Sequence, residues 1–225
     1  MHPILFNLFG LEIKTYGVIV ALAFLAGIYL ASKLAEKEGI NKDIILDLGL
    51  VIIICSLIGA RLLYVLIWHK YYLKNPLDIL KVWEGGLVFY GGFIMSVIGV
   101  LLWLKKNKVP FLKTVDILAP FIALGHSIAR IGCFFAGCCY GRPGHPGFIF
   151  PNVGDGVERL PVQIFESAAN FLNFIILVLA YRMKWKKGGD IFFLYLLNYG
   201  IIRIIMETFR DDPERGTILI FSTST

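Results

Sequence analysis

The chain alternates long apolar runs with short polar segments. Six of the runs approach or exceed the length of about 20 mostly apolar residues that a membrane-spanning helix needs. Because a helix satisfies all of its backbone polar groups within one segment, each run predicts a transmembrane helix. The runs are Tyr16–Leu34, Ile44–Trp68, Leu87–Leu104, Val115–Phe135, Ile164–Tyr181 and Ile191–Phe209.

The composition supports a membrane protein. Hydrophobic residues make up 57% of the 225 residues and the mean hydropathy is +0.74, whereas soluble domains average roughly 45–50% apolar residues. We therefore predict an all-α, polytopic membrane helical bundle with six transmembrane helices, in which residues 1–225 form a single integral membrane domain. The chain ends as another apolar segment, "TILIF", begins, which raises the expectation of a seventh helix that this chain lacks.

The positive charge of the chain predicts its orientation. The formal net charge is +6, and the basic residues cluster between the apolar runs. Loops one, three and five carry eleven of them, against eight on the other side. By the positive-inside rule these three loops are cytoplasmic and the N-terminus lies outside. The charge is thus explained without a nucleic-acid partner.

Ionisable residues inside the runs indicate a site. A charge within a span costs about 2.5–3.5 kcal/mol on insertion scales, yet Arg61, Arg130, Arg203, Glu166 and Glu207 all lie in or at the start of a run. Arg203 and Glu207 are four residues apart, which predicts an ion pair on one helix face. Three arginines against two carboxylates leave a positive excess. Since guanidinium binds phosphate in a bidentate manner, we predict a site for an anionic phospholipid head group, facing outward.

Two further features each leave two interpretations open. The segment "WEGGLVFYGG" contains four glycines, which permit either a ligand or a second helix to approach the backbone closely. Tyr16 begins the first run and is either an interfacial anchor or a site residue.

Six segments carry a resemblance to one family over nearly the whole chain. They are Tyr16-Gly17, "GARLLY", "WEGGLVFYGG", "GHSIARIGCFFAGCCYGRP", "LPVQIFE" and "YGIIRIIMETFRDDPE". In content, order and spacing they resemble the motifs of the prolipoprotein diacylglyceryl transferases. That family usually has seven helices with the N-terminus outside, and the resemblance implies a multi-pass protein of the bacterial cytoplasmic (inner) membrane with an active site toward the outer leaflet.

The resemblance also implies a reaction. Such enzymes transfer the diacylglyceryl group of phosphatidylglycerol to the lipobox cysteine of a preprolipoprotein, and glycerol phosphate leaves. The partners would be a phospholipid donor and a protein or peptide thiol acceptor, with no cofactor and no metal. By position, Arg130 and Arg203 would hold the phosphate and Glu207 would orient Arg203. Substrate binding is expected at Tyr16, Arg61, Gly91, Gly92, Gly141, Gln163 and Glu166.

The chain departs from the family motifs on the side that would activate the acceptor. Tyr90 replaces a histidine, Cys133 an asparagine and Cys138 a glutamate of the family pattern. Tyrosine stays protonated to a pKa of about 10, whereas histidine titrates near 6.5. We therefore expect Tyr90 to act in catalysis as a hydrogen-bond donor. His126, one turn before Arg130, and His145 are alternative bases.

The cysteines allow four interpretations. Cys133, Cys138 and Cys139 lie within seven residues, whereas Cys55 lies alone in an apolar run and is expected to be an inert packing residue. The three clustered cysteines could pack the turn, or Cys133 could form a disulfide with Cys138 or Cys139. Alternatively, they form a metal site that His126 or His145 completes, or they are reactive thiols. The spacing lacks the C-x2-C pattern that is usual for zinc. A thiolate beside an arginine would have a lowered pKa, which makes a reactive thiol physically reasonable.

Three other functions remain as alternatives. One is a paralogous lipid-modifying transferase with another acceptor. Another is a membrane thiol oxidoreductase that uses the three clustered cysteines, although this leaves the arginines in the apolar runs unexplained. The third is a lipid-binding protein or a transporter, against which the lack of an internal sequence repeat argues.

Overall fold

The protein is a helical membrane protein whose long helices coincide with the predicted runs. The computed structural model describes all residues except 9–10, 83–84, 152, 184–187, 211–216, 219–220 and 223–225. In this described part the helices are α1 (Thr15–Lys37), α2 (Lys42–Ile67), α3 (His69–Tyr72), α4 (Phe89–Lys106), α5 (Phe111–Ala136), α6 (Val162–Arg182) and α7 (Asp190–Glu207), with a 3-10 helix at Pro76–Leu80.

The strands are short and form three separate antiparallel pairs in the described residues. Their bounds are β1 (Ile4–Leu8), β2 (Leu11–Lys14), β3 (Pro143–Ile149), β4 (Glu158–Arg159), β5 (Thr217–Ile218) and β6 (Phe221–Ser222). β1 pairs with β2, β3 with β4, and β5 with β6. The first pair leads into α1, and the second connects α5 to α6.

The predicted all-α, polytopic membrane fold is confirmed. Among the described residues, five helices, α1, α2, α4, α5 and α6, are long and apolar enough to cross a membrane by length and composition. α7 also has 18 residues, but it carries Asp190, Arg203 and Glu207. The expected missing seventh helix concerns the end of the chain, where residues 211–216, 219–220 and 223–225 lie outside the described residues.

The helices fall into two compact units. The first contains Met1–Glu38 and Leu112–Glu214, and the second contains Gly39–Phe111 and Arg215–Thr225. The first unit therefore holds α1, α6, α7 and nearly all of α5, and the second holds α2 and α4. A single integral membrane domain over residues 1–225 stays a prediction.

In the second unit, glycines let α2 and α4 pack closely. A Cβ atom on Gly91 would overlap the carbonyl oxygen of Gly59, and one on Gly92 would lie 2.9 Å from the carbonyl oxygen of Ser56. Cys55 packs against Gly99 in the same interface. Of the two interpretations of these glycines, helix packing is the one that the contacts support.

In the first unit, α5, α6 and α7 share a buried core. Ala119, Ala123, Leu177, Ile191 and Tyr195 are its central apolar residues. Asp116 on α5 caps α7, since its carboxylate accepts hydrogen bonds from the backbone N–H groups of Gly189 at 2.6 Å and Phe192 at 2.9 Å. A carboxylate at a helix N-terminus satisfies orphan donors and complements the helix dipole. This cap fixes the helix that carries Arg203 and Glu207.

Candidate functional site

A reversal of the chain after α5 brings the three clustered cysteines together. Gly137 and Cys139 have positive φ angles of 72° and 64°. The backbone N–H of Cys138 donates to the carbonyl oxygen of Cys133 at 3.2 Å, and the amide of Gln163 donates to the carbonyl oxygen of Cys138 at 2.7 Å. As a result, the three sulfur atoms lie within 4.8 Å of one another.

The segment that follows places an arginine beside this turn. Gly141 forms a β-bridge with Arg210, just after α7, and its N–H donates to the carbonyl oxygen of Leu160 at 2.9 Å. A Cβ atom on Gly141 would lie 2.8 Å from the carbonyl oxygen of Phe209 and 2.9 Å from that of Leu160. Only glycine fits between these two backbone segments without a shift. The predicted substrate-binding residue Gly141 therefore has a clear packing role.

Glu166 lies at the centre of a buried charge cluster. Its side chain is 1% exposed, and its Oε1 lies 3.0 Å from Nη2 of Arg130. Its other oxygen lies 3.7 Å from Nη1 of Arg210, whose side chain is 3% exposed. This contact was not predicted from the sequence, in which Arg210 lies just after the last apolar run. The signal was present, because Arg210 closes the segment "YGIIRIIMETFR".

The predicted ion pair of α7 is confirmed. Nη2 of Arg203 lies 2.7 Å from Oε2 of Glu207. The other terminal nitrogen of Arg203, Nη1, is buried and has no hydrogen-bond partner among the described residues, and the same holds for Oε1 of Gln163. Leaving such a group unsatisfied costs about 1–3 kcal/mol. These two atoms therefore point to a polar ligand or to water.

The cysteine cluster is electrostatically coupled to the arginines. Nη1 of Arg130 lies 3.8 Å from the sulfur of Cys133. Hydrogen bonds from Cys133 and Cys138 lower the pKa of the Cys139 thiol, burial opposes this, and the charge of Arg210 assists it. Hydrogen bonds to Cys133 and Cys139, together with burial, raise the pKa of Cys138. The three thiols therefore titrate as one interacting group.

The structure decides against two of the four interpretations of the cysteines. No disulfide joins the four cysteines, all of which lie in the described part of the chain. The group of potential metal ligands contains Cys133, Cys138 and Cys139 but neither histidine. The disulfide and the histidine-completed metal site are therefore wrong for this structure.

Other contacts explain the positions of the two histidines. Nδ1 of His126 lies 3.2 Å from the hydroxyl of Tyr195, and its ring packs on Tyr199 with centroids 4.9 Å apart. His145 lies on β3, where its Nδ1 is 2.7 Å from Glu158. Neither position tests the predicted role as a base, which stays a prediction for both.

Tyr16 joins the site from α1. A Cβ atom on Gly132 of α5 would lie 3.3 Å from Cδ2 of Tyr16 and 3.3 Å from Cγ2 of Ile19, so both side chains cover this glycine, two residues beyond Arg130. Ile19 also lines a mostly apolar cavity of about 490 Å³ together with Leu5, Val18 and Phe135. An apolar groove therefore begins next to the charged residues.

The remaining predicted residues lie in the second unit. Arg61 is 7% exposed, and its guanidinium donates five hydrogen bonds to backbone carbonyl groups. The acceptors are the carbonyl oxygens of Asp78, Ile79, Lys81, Gly85 and Gly86. Tyr90 is 48% exposed and contacts Phe89 edge to face. The expected substrate-binding role of Arg61 and catalytic role of Tyr90 stay predictions.

The polar face of α6 extends beyond the predicted residues Gln163 and Glu166. Ser167, Asn170 and Asn173 are also buried and were not predicted from the sequence. Ser167 donates to the carbonyl oxygen of Ser127 at 2.8 Å, and Asn173 accepts from Asn198 at 2.9 Å. The spacing of three to four residues was a readable signal of one helix face. Such hydrogen bonds hold neighbouring helices together in a membrane.

Comparison with known proteins gives one consistent result. Residues 3–225 match the model of a family described as prolipoprotein diacylglyceryl transferase. The chain is similar to a phosphatidylglycerol–prolipoprotein diacylglyceryl transferase of Clostridium tetani, with 41% identity over 100% of this chain and 91% of that protein. It is also similar to a protein of that name from Finegoldia magna, with 37% identity over 94% of this chain and 85% of the relative. A third relative is the phosphatidylglycerol–prolipoprotein diacylglyceryl transferase 2 of Clostridium perfringens, with 34% identity over 100% of this chain and 89% of the relative.

Proposed function

Because this chain belongs to the prolipoprotein diacylglyceryl transferase family, we propose that it transfers the diacylglyceryl group of phosphatidylglycerol to the lipobox cysteine of a preprolipoprotein. It is a multi-pass membrane transferase. In the reaction the acceptor sulfur attacks the glyceryl carbon, the C–O bond to phosphate breaks, and glycerol phosphate leaves with the bond electrons. The charge that must be stabilised thus develops on phosphate oxygens.

The observation that carries the donor site is the buried Nη1 atom of Arg203. Glu207 holds the other terminal nitrogen of the same guanidinium at 2.7 Å, which fixes the plane of the fork and leaves Nη1 without an acceptor among the described residues. A phosphate oxygen is a matching acceptor, and charge-assisted bonds to guanidinium are strong. Fixed donors aimed at developing charge lower the barrier of the reaction.

The charges clustered around Glu166 and Glu207 support an anionic ligand. Arg130, Arg203 and Arg210 supply three guanidinium groups, whereas Glu166 and Glu207 supply two carboxylates. One positive charge remains, which suits the single negative charge of a phosphodiester. The amide oxygen of Gln163, which has no hydrogen-bond partner among the described residues, can accept a hydrogen bond from a hydroxyl of the head group.

The apolar groove beside Tyr16 suits the lipid chains. It is bounded by residues of β1, α1 and α5, among them Ile4, Ile19 and Phe135. Burial of each methylene group of a chain contributes about 0.8 kcal/mol. The donor would lie with its head group at the arginines and an acyl chain in this groove.

The protein is proposed to lie in the bacterial inner membrane with its N-terminus outside. The start of α1, the end of α5, the start of α6 and the end of α7 would then all lie toward the outer leaflet. These ends carry Tyr16, the cysteine turn (residues 133–139), Glu166 and Arg210. The basic residues of the opposite loops support this orientation.

A lipid-transfer assay tests the function. Purified protein is incubated with phosphatidylglycerol labelled in its diacylglyceryl part and with a lipobox peptide. We expect label on the peptide thiol and none on a peptide whose cysteine is replaced by serine. Arg203→Ala should abolish the transfer. Arg182→Ala should retain it, because Arg182 lies at the last residue of α6, whereas Glu166 of the site lies near the start of that helix. Absence of transfer under conditions in which the Clostridium tetani relative is active contradicts the proposal.

A different thiol acceptor is the second candidate. Tyr90, Cys133 and Cys138 stand where the family pattern has other residues, and all three concern the acceptor side. Low-molecular-weight thiols and cysteine peptides without a lipobox, offered in the same assay, separate this candidate from the first.

A further inference from the structure

The three sulfur atoms of the cysteine turn have the geometry of a metal-ligand set. Those of Cys133, Cys138 and Cys139 lie within 4.8 Å of one another. In a tetrahedral zinc site with Zn–S bonds of about 2.3 Å, sulfur atoms lie about 3.8 Å apart. The hydrogen bonds from the Cys138 N–H and from Gln163 hold the backbone that carries these sulfur atoms.

The backbone of the cysteine turn is strained at Cys139. Its φ of 64° lies in the left-handed region, which costs a residue with a Cβ atom about 1–2 kcal/mol. Glycine would adopt this conformation without strain. Strained positions of this kind cluster at functional sites. A cysteine at this position therefore lowers the stability of the fold relative to a glycine.

A positive charge borders the proposed ligand set. The guanidinium of Arg130 lies 3.8 Å from the sulfur of Cys133. Three thiolates on one divalent ion carry a net charge of −1, which this guanidinium offsets.

We propose that Cys133, Cys138 and Cys139 bind a divalent d10 metal ion, Zn²⁺ in the first place, as three thiolates. Each thiol loses its proton to solvent on binding, as thiolate coordination requires. Sulfur ligands select zinc over magnesium or calcium. Three protein ligands leave the fourth tetrahedral position open, which is typical of catalytic rather than structural zinc sites.

The bound metal ion would activate the acceptor thiol. This catalytic part of the inference rests on the proposed function. The acceptor thiol binds at the fourth position and releases its proton to water, since a metal-bound thiol is deprotonated. Its sulfur then forms the C–S bond with the glyceryl carbon, and the C–O bond breaks. Glycerol phosphate leaves as a dianion, and the thioether product leaves the metal, so that no oxidant or further reactant is needed.

Metal analysis of the full-length protein in detergent tests the site. We expect one bound Zn²⁺ per chain after loading and dialysis, and a sulfur-to-metal charge-transfer band with Cd²⁺. Both should disappear when Cys133, Cys138 and Cys139 are replaced by serine and persist in Cys55→Ser, the matched control. Cys139→Gly relieves the backbone strain and should fold at least as stably while losing tight metal binding. Equal metal content in wild type and triple variant, or tight binding by Cys139→Gly, overturns the proposal.

The transfer assay separates this inference from the proposed function. Stoichiometric zinc without lipid transfer to any thiol would refute the transferase and leave the metal site standing. Full transfer by metal-free protein would refute the metal's role and leave the transferase standing. We expect that a chelator removes activity and that Zn²⁺ restores it.

Discussion

Arg210 lies 3.7 Å from the carboxylate of Glu166, on the side opposite to Arg130. One buried carboxylate is therefore shared by two guanidinium groups from different parts of the chain. Arg61, the third arginine of the predicted phosphate site, binds backbone carbonyl groups of its own unit. Arg210 adds a positive charge to the cluster that was not predicted from the sequence.

Arg210→Gln should strongly reduce lipid transfer. The change removes a buried charge beside Glu166 and beside Cys139, and removal of one partner of a buried ion pair costs about 3–5 kcal/mol. We expect a fall in kcat of about 10²–10³-fold, as for loss of a donor to developing charge. Transfer kinetics with phosphatidylglycerol measure it. Arg182→Gln serves as the control, and equal rates for the two variants would show that Arg210 has no role.

Arg203→Lys tests whether the fork of the guanidinium matters or only its charge. Lysine keeps the charge but cannot bind Glu207 and a phosphate oxygen through one rigid plane. We expect a loss in kcat/KM of at least about tenfold, or 1.4 kcal/mol, with Glu207→Gln showing a smaller loss. Retention of wild-type kinetics by Arg203→Lys would mean that a point charge suffices.

Gly141→Ala should damage both stability and activity. Its Cβ atom would lie 2.5 Å from Cγ2 of Val162 and 2.8 Å from the carbonyl oxygen of Phe209, and overpacking costs about 1–3 kcal/mol. The bridge to Arg210 would shift. Gly125→Ala is the matched control, because a Cβ atom there meets nothing within 4 Å. Thermal unfolding in detergent and the transfer rate report the effect, and identical Tm values for both variants would contradict it.

Arg61→Gln distinguishes a structural role from substrate binding. Loss of the five hydrogen bonds to carbonyl groups, each worth about 1.5–3 kcal/mol to a charged donor, should lower the Tm. If Arg61 only anchors the loop, the KM for phosphatidylglycerol of the folded fraction stays at its wild-type value. A raised KM with an unchanged Tm would instead support the substrate-binding role.

The sequence by itself determined the helices, the family and the ion pair of Arg203 with Glu207. Run length and a spacing of four residues are local properties, and a helix in a membrane satisfies its own backbone, so these features need no knowledge of distant contacts. The positive charge of the site was predicted by the same reasoning, without Arg210.

Only the tertiary structure decided which residues meet. Arg210 reaches Glu166 because Gly141 allows three backbone segments to approach, and the cysteines meet because Gly137 and Cys139 reverse the chain. The close contacts of Gly91 and Gly92 with α2 likewise join helices that the sequence could not pair, and substrate binding at these two glycines stays a prediction. Such outcomes depend on contacts between segments far apart in sequence and on backbone angles that residue type permits but does not impose.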